Sequence, residues 1–142
     1  MKKENKKSFG MIKPSCVKYA AEVEAAITAA GLIIDKVAEV RFSQAQAEEF
    51  YAEHRGKPFF SRLVAMLSSA PVRVYCISGE NAVQAWRDLI GPTNPNNGDG
   101  LRRRFADAEA YAAGSPDNGF HGSANPEDAE REINLMRKWQ CF

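Results

Sequence analysis

Apolar and polar residues recur with two spacings along the chain, and the two spacings predict strands and helices. In residues 71–78 the apolar residues occupy every second position, which is the spacing of a strand. The alternating apolar side chains are Val72, Val74 and Cys76, and Arg73 and Tyr75 point to the other face. Residues 9–12 are a short apolar run, and residues 32–42 are a longer stretch rich in β-branched and apolar residues, and both also favour strands. The three predicted strands cover residues 9–12, 32–42 and 71–78.

Helices are predicted where apolar residues recur every three or four positions between residues that commonly cap helices. Ser15 and Ser43 stand before two such stretches, where a side-chain oxygen can accept a hydrogen bond from the first turn. Gly31 and Gly91 follow two of them, where glycine readily takes the left-handed backbone. Residues 101–113 are alanine-rich and ambiguous. Helices are expected between 15 and 31 and over 44–54, 59–68, 81–90 and 126–139.

The order of these elements predicts an α+β fold, an antiparallel four-stranded sheet with helices packed on one face. The ferredoxin-like βαββαβ arrangement is the natural candidate. We expect one domain over residues 8–142, preceded by a disordered basic arm over residues 1–7. RNA-binding modules share this fold, so the fold alone does not decide the function.

Charge and composition restrict the possible partners. The 142 residues carry a formal net charge of +1, so neither a nucleic acid nor a membrane is expected as a main partner. No stretch approaches the ~20 apolar residues of a membrane span, and the polar N-terminus lacks the apolar core of a secretory signal. The three cysteines have no zinc-ligand spacing and form a poor disulfide framework. We therefore expect a cytoplasmic protein.

The common phosphate-binding loops are absent from the chain. Neither GxxxxGK[ST] nor GxGxxG occurs, and the catalytic-loop pattern of protein kinases is missing. Any phosphate must therefore be held by separate side chains, each of which taken alone is most often a solvated surface charge. The side chains that could take part are Lys13, His54, Arg55, Arg87, Arg102, Arg103 and Arg104.

His121 stands between turns that contain glycine, in residues 118–123. A loop histidine taken alone is more often exposed than catalytic. Here Gly122 follows it, where the missing side chain lets a substrate approach the backbone closely. Glu132 on the next predicted helix can fix the tautomer of the imidazole. A neutral histidine oriented by a carboxylate is an activated nucleophile.

Four ordered blocks of sequence resemble the nucleoside diphosphate kinase family, from residue 9 to about residue 133. Together they are far more specific than any one of them. The blocks are FGMIKP at 9–14, similar to the family's opening strand; YAEHRGKPFF at 51–60, its helical lid; WRDLIGPTNP at 86–95, its phosphate-binding segment; and NGFHGS at 118–123, its active-site pattern. The resemblance implies a ferredoxin-like kinase that transfers the γ-phosphate of ATP to nucleoside diphosphates.

The resemblance also implies the catalytic residues. His121 becomes phosphorylated on Nδ1, and the phosphohistidine then passes the phosphate to the second nucleotide in a ping-pong reaction. Glu132 orients the other ring nitrogen, and Ser123 and Tyr51 support the site. Lys13 reaches the transferred phosphate.

The remaining implied residues bind the nucleotide. Phe59 stacks on the base, and any of the bases can stack there because each has a π-face. Lys13 and Asn118 bind the ribose hydroxyls. The phosphates are held by Arg87, Thr93, Arg102 and His54, with Mg²⁺ bridging the phosphates rather than sitting in a protein cage. The implied assembly is a homo-oligomer, a tetramer or hexamer built from dimers.

The chain departs from the family pattern at several places. Ser15 and Cys16 replace the usual aspartate and glycine, and Ala124 replaces an aspartate. Gly119 replaces an apolar residue, which predicts a thinner wall at the base site. The loop from Thr93 to the arginines is shorter than usual and the stretch 103–117 is longer. The choice among Arg102, Arg103 and Arg104 and the oligomeric state therefore stay open.

Two other functions compete with an active enzyme. One is a catalytically weak nucleotide-binding or regulatory module that retains the fold. Loss of His121, Lys13 or an arginine would be its simplest sign, and all are present. The other is an RNA-binding module, which needs aromatic residues on an open sheet and a basic face. The balanced charge argues against it.

Overall fold

The computed structural model describes residues 6–142, so the first five residues of the expected arm lie outside the described part of the chain. Lys7 already belongs to the first strand rather than to an arm. The four strands are β1 (Lys7–Ile12), β2 (Ile33–Val40), β3 (Val72–Ser78) and β4 (Phe120–Gly122). They form one sheet in the order β2-β3-β1-β4, and every neighbouring pair is antiparallel. This confirms the predicted ferredoxin-like α+β fold.

Seven α-helices connect and cover the strands in residues 6–142. The ambiguous, alanine-rich residues 101–113 form two short helices of five residues each. Short 3-10 helices cover Pro14–Tyr19 and Ala52–His54. The α-helices are α1 (Ala20–Ala29), α2 (Gln44–Phe50), α3 (Phe60–Leu67), α4 (Ala82–Ile90), α5 (Leu101–Phe105), α6 (Ala108–Ala112) and α7 (Pro126–Lys138).

One of the two predicted serine caps is confirmed and the other is wrong. Ser43 caps α2, since its hydroxyl accepts from the backbone N–H of Gln46 and the Gln46 side chain accepts from Ser43 N–H. Ser15 does not cap a helix. Pro14 already opens the 3-10 helix with its fixed backbone angle, so Ser15 lies inside the first turn. The Ser15 hydroxyl instead donates to Asp117 at 2.8 Å.

Helices cover both faces of the sheet, so the expectation of one covered face is wrong. Val74 and Cys76 pack into a core cluster with residues of α2, α3 and α7. Tyr75 and Ile77, on the opposite face of β3, pack into a second cluster with residues of α1 and α4. In the sequence Tyr75 lies on the polar side of the alternating strand. In the structure its ring is buried, and its hydroxyl donates a hydrogen bond to Glu24 at 2.8 Å. The central strands therefore leave no open face for stacked RNA bases.

The close packing at the end of the sheet places His121. Met11 on β1 pairs with His121 on β4, and the Trp86 indole of α4 donates to the His121 carbonyl at 2.9 Å. A Cβ at Gly10 or Gly122 would lie within 2.9 Å of the Trp86 ring. The absence of a side chain at Gly122 thus makes room for the indole. No helix within residues 6–142 has the length and apolar character needed to cross a membrane.

Candidate active site

The His121 ring lies at the edge of the sheet, with one nitrogen fixed and the other directed away from that contact. Its Nε2 is 3.0 Å from Glu132 Oε1, and 19% of the side-chain surface is exposed. The ring also packs edge-on against Phe50, with centroids 5.2 Å apart, and lies 5.9 Å from the Phe9 ring. This packing leaves Nδ1 as the nitrogen not engaged by the carboxylate.

Glu132 is a buried carboxylate held by two donors. It is 2% exposed, and Ser123 Oγ donates to its Oε1 at 2.7 Å. Burial alone would raise the pKa of Glu132, but the charge of His121 and the hydrogen bonds from His121 and Ser123 together lower it. Ser123 is fixed in turn by the backbone N–H of Phe9, which donates to Ser123 Oγ at 3.1 Å. The carboxylate thus stays ionised and can accept a hydrogen bond from Nε2 when that nitrogen carries a proton.

A chain of hydrogen bonds links three of the expected nucleotide-binding residues. Lys13 Nζ donates to Asn118 Oδ1 at 2.8 Å, and Asn118 Nδ2 donates to the Thr93 carbonyl at 3.0 Å. Lys13 and Asn118 are both buried, whereas Thr93 is exposed. Burial, followed by the charge of Arg102, lowers the pKa of Lys13 to about 8. The ammonium group therefore sits near a positive neighbour, whose effect the negative charge of Asp117 offsets only in part.

Among the three consecutive arginines, the structure brings Arg102 to the site. Arg102 lines the same cleft as His121, and its two terminal nitrogens donate to the carbonyls of Gly91 and Phe120 at 2.7 and 2.8 Å. Burial and the charge of Arg87 lower the pKa of Arg102 to about 10. Arg103 instead donates to a loop carbonyl, and Arg104 lies 4.7 Å over the Phe105 ring.

Two adjoining clefts, of about 640 and 840 Å³, meet at the histidine. Four of the expected residues line both clefts, and the others line one of them or lie behind His121. Those lining both are Lys13, Arg87, Thr93 and His121. Arg102 lines the smaller cleft. The larger cleft adds Tyr51, His54, Phe59 and Asn118. The structure thus brings together the residues that the resemblance implies, whereas Arg55, Arg103 and Arg104 line neither cleft.

The segment between α2 and α3 supplies an aromatic wall of the larger cleft. Phe59 is 41% exposed there, and the His54 ring lies 5.5 Å from it and 5.9 Å from Tyr51. Lys57 Nζ stands 5.7 Å from the Phe59 ring. Tyr51 is buried and its hydroxyl has no hydrogen-bond partner in the described part of the chain. Burial, and then the charges of Glu132 and Asp117, raise the pKa of Tyr51.

Comparison with known proteins identifies the family. A family model described as nucleoside diphosphate kinase matches residues 6–140. The chain belongs to the nucleoside diphosphate kinase family. Curated nucleoside diphosphate kinases of Phenylobacterium zucineum and Methylorubrum populi are similar to it. They are 41% identical over 130 residues and 38% identical over 133 residues, which is 89% and 91% of this chain and 90% and 91% of theirs.

Solved structures of the family share the fold. A nucleoside diphosphate kinase of Aquifex aeolicus superposes with a TM-score of 0.83 at 29% identity, over 92% of this chain and 94% of that one. A halophilic nucleoside diphosphate kinase from Halobacterium salinarum, solved in complex with CDP, gives a TM-score of 0.80 at 29% identity, over 94% of this chain and 87% of that one. The function of the chain is accordingly that of a nucleoside diphosphate kinase, a phosphotransferase that uses nucleotides and generally needs a divalent cation.

A side chain at Gly119 would point into the packing beneath its loop, and Gly119 does not line the larger cleft. Its backbone has φ +89°, and a Cβ there would lie 2.9 Å from Cys16 Sγ and 3.1 Å from Ala106 Cβ. Neither Cys16 nor Ala106 lines the clefts. The glycine is therefore explained by its left-handed backbone and by the packing beneath the loop.

Sequence reasoning missed three residues at the site. Arg62 and Tyr111 line the larger cleft, and Asp117 binds the segment that carries Lys13. Tyr111 lies on α6, inside the stretch that is longer than the family pattern. The unusual length marked this stretch, but its alanine-rich sequence gave no spacing that would direct Tyr111 toward the cleft. Asp117 was marked only by its position beside Asn118.

Proposed function

We propose that the chain transfers the γ-phosphate of a nucleoside triphosphate such as ATP to a nucleoside diphosphate through a phosphohistidine at His121 Nδ1. The observation that carries this proposal is the 3.0 Å contact between His121 Nε2 and Glu132 Oε1. It favours the tautomer with the proton on Nε2, so the Nδ1 lone pair is available as the nucleophile.

The proposed reaction has two half-reactions at one site. The Nδ1 lone pair attacks the γ-phosphorus, the bond from that phosphorus to the β,γ-bridging oxygen breaks, and the nucleoside diphosphate leaves with the electron pair. A second nucleoside diphosphate then enters, and its terminal β-phosphate oxygen attacks the phosphorus of the phosphohistidine. The N–P bond breaks, the electron pair returns to Nδ1, and one cleft serves donor and acceptor in turn. Glu132 stabilises the imidazole while Nδ1 is bonded to phosphorus.

The phosphates are proposed to bind among Lys13, Arg87, Arg102, Thr93 and His54. Phosphoryl transfer depends mainly on in-line positioning and on cancelling charge, which fixed cations supply. Both terminal nitrogens of Arg102 already donate to carbonyl groups. Arg102 therefore serves as an anchored positive charge rather than as a free bidentate clamp, whereas the exposed Arg87 is free to adjust.

The nucleoside is proposed to lie in the larger cleft, with Lys13 and Asn118 at the ribose hydroxyls and Phe59 stacked on the base. The exposed Phe59 ring offers an apolar face without a defined set of donors for one base edge. Strong discrimination among bases needs buried polar partners that the wrong base leaves unpaired. We expect ADP, GDP, CDP and UDP to react within about tenfold of one another, the scale of one stacking contact.

Mg²⁺ is proposed to enter with the nucleotide phosphates. The described residues contain no group of three His, Cys, Asp or Glu side chains suited to holding a metal ion. The charged side chains shared by the two clefts are Lys13 and Arg87, which are cations and suit phosphate rather than a metal ion. This chemistry fits an ion that keeps several waters and binds mainly through substrate phosphates. When bound, Mg²⁺ would offset negative charge on the phosphates.

We also propose that the chain forms one domain, which begins with β1 at Lys7 and continues to residue 142, and that it assembles into a homo-oligomer, a tetramer or hexamer built from dimers. The edge strand β2 supports assembly, because Ile33 and Val37 on it are 61% and 43% exposed. An exposed edge with apolar side chains is a surface that proteins usually cover. A cytoplasmic location is proposed because Cys16, Cys76 and Cys141 are all free thiols.

The test is a coupled assay that follows GTP formation from ATP and GDP in the presence of Mg²⁺. We expect turnover by the unsubstituted protein and none by His121→Ala. Nucleotide binding by titration calorimetry is measured in parallel. Binding without turnover would contradict the proposal and favour the regulatory module, in which the fold is kept without catalysis.

A further inference from the structure

Asp117 accepts three hydrogen bonds at the base of the loop that leads to His121. The backbone N–H and the hydroxyl of Ser15 donate to its two oxygens at 3.0 and 2.8 Å. The backbone N–H of Gly119 donates to it at 2.8 Å. The Gly119 bond is a local turn contact of the kind aspartate often makes. The bonds from Ser15 instead join segments separated by 102 residues.

These bonds connect the two segments that carry the buried polar groups of the cleft. Lys13 N–H donates to the Gly119 carbonyl at 2.8 Å, and Lys13 Nζ donates to Asn118 Oδ1 at 2.8 Å. Asp117 therefore completes a set of contacts that fixes residues 13–15 against residues 117–119. Ser15 supplies both a backbone and a side-chain donor to the carboxylate on the opposite segment.

A carboxylate next to a phosphate site needs an explanation, because it repels the ligand. The titratable groups around Lys13 are Arg102 on α5, which lowers its pKa, and Asp117 and then the Cys16 thiol, which raise it. Arg87 lines the same clefts from α4. Asp117 is thus the largest influence favouring the ammonium form against burial and Arg102. Its negative charge acts on Lys13, and its geometry orients the backbone on both sides of Lys13 and Asn118.

We propose that Asp117 is a positioning residue that holds Lys13 and Asn118 where they meet the ribose and the transferred phosphate. This inference rests on the proposed function, since it assigns Asp117 a role in the same phosphate transfer. Asp117 does not touch the reacting atoms and acts through Lys13 and Asn118.

The experiment compares Asp117→Asn, Ser15→Ala and Asp117→Ala with a control, Asp99→Asn. Asp99 is an exposed loop residue that does not line the clefts, and its substitution makes the same change of charge. For each variant, kcat and KM for a nucleoside diphosphate are measured across pH, together with the melting temperature. Asp117→Asn retains the shape of the side chain and an oxygen acceptor, so it can still test the role of the Asp117 charge if Asp117→Ala fails to fold.

The positioning role predicts a specific pattern. Asp117→Asn should reduce kcat/KM on the order of tenfold, the scale of one hydrogen bond to a charged group. It should also move the alkaline limb of the pH profile to lower pH, because Lys13 loses its counter-charge. Ser15→Ala should lower kcat/KM less and leave the alkaline limb in place, since it removes one bond and no charge. Asp99→Asn should behave as the unsubstituted protein.

Two results would overturn the inference. One is an Asp117→Asn variant whose kcat/KM and alkaline limb equal those of Asp99→Asn, even if its melting temperature falls, because the loop contact would then be structural only. The other is a Ser15→Ala variant that moves the alkaline limb as far as Asp117→Asn does. Absence of phosphate transfer by the unsubstituted protein would instead overturn the proposed function, and the inference with it.

Discussion

Arg102 is the single residue whose position the sequence left open and the structure resolves. Its guanidinium lies in the His121 cleft, bonded to the carbonyls of Gly91 and Phe120, while Arg103 is exposed and bonded to the Asn96 carbonyl. Sequence could not choose among three adjacent arginines, because the shortened loop before them moves the register. Helix α5 directs only Arg102, of the three arginines, into the cleft.

Arg102→Ala should reduce both turnover and stability. Loss of a fixed cation at the phosphates should cost ~2–4 kcal/mol of transition-state stabilisation, by analogy with one oxyanion donor. Two carbonyls would also lose a charged donor, which should lower the free energy of unfolding by about 1–3 kcal/mol. Arg103→Ala is the matched control and should leave both quantities near those of the unsubstituted protein. Steady-state kinetics and denaturant titration check this, and a damaging Arg103→Ala with a silent Arg102→Ala would contradict it.

The pKa of Lys13, lowered to about 8 by burial and by Arg102, predicts a pH dependence of activity. The ammonium is lost as pH rises through about 8, so kcat/KM should fall on the alkaline side. Bound phosphates favour the charged form, so the alkaline limb of kcat should lie at higher pH than that of kcat/KM. The stability of the fold changes with pH in the opposite direction. Lys13 binds its proton less tightly in the folded protein than in the unfolded chain, so the cost of burying the ammonium group disappears, and stability rises, as pH increases from about 8 to the ordinary pKa of 10.5.

The pH profile of both kinetic constants checks the Lys13 prediction. In Lys13→Arg the cation stays charged throughout the range, so the alkaline limb of kcat/KM should disappear even where the overall rate is lower. A limb that is unchanged in Lys13→Arg would assign the titration to another group.

At the scale of elements, regular strands and capped helices could be predicted, and irregular ones could not. The cap at Ser43 could be predicted because it depends only on residues close together in the sequence. Tyr75 misled the assignment of faces because it combines a buried ring with a polar hydroxyl. Residues 101–113 gave no clear period because alanine is neutral between the two faces of a helix. Most of the site residues lie in the four blocks that match the family, whereas Arg102 and Glu132 lie outside them. Tyr111 was missed because it lies on the extra element α6.

Helix α6 should contribute to nucleotide binding through Tyr111. Tyr111 lines the larger cleft together with Phe59. Tyr111→Ala should raise KM for all nucleoside diphosphates by about tenfold, the scale of one aromatic contact with a base, and leave kcat nearly unchanged. Glu109→Ala, on the exposed face of the same helix, is the control. Equal KM values in the two variants would remove Tyr111 from the base site.

At the scale of the whole molecule, the exposed apolar residues of β2 predict self-association. Val37→Glu places a charge on an edge strand whose pairing with a second copy it would disrupt. We expect this variant to sediment as a smaller species than the unsubstituted protein in analytical ultracentrifugation. Ala65→Glu, at an exposed position on α3, is the control. An unchanged sedimentation coefficient for Val37→Glu would place the interface elsewhere.

The most direct test of the account is whether His121 itself carries the phosphate. The protein is incubated with ATP labelled in the γ-phosphate and with Mg²⁺, and the labelled chain is isolated. We predict one labelled site, labile to acid and stable to alkali as a phosphohistidine is, absent from His121→Ala, and discharged by added GDP with formation of labelled GTP. Label that survives acid, or that persists in His121→Ala, would contradict the account and point to a different nucleophile.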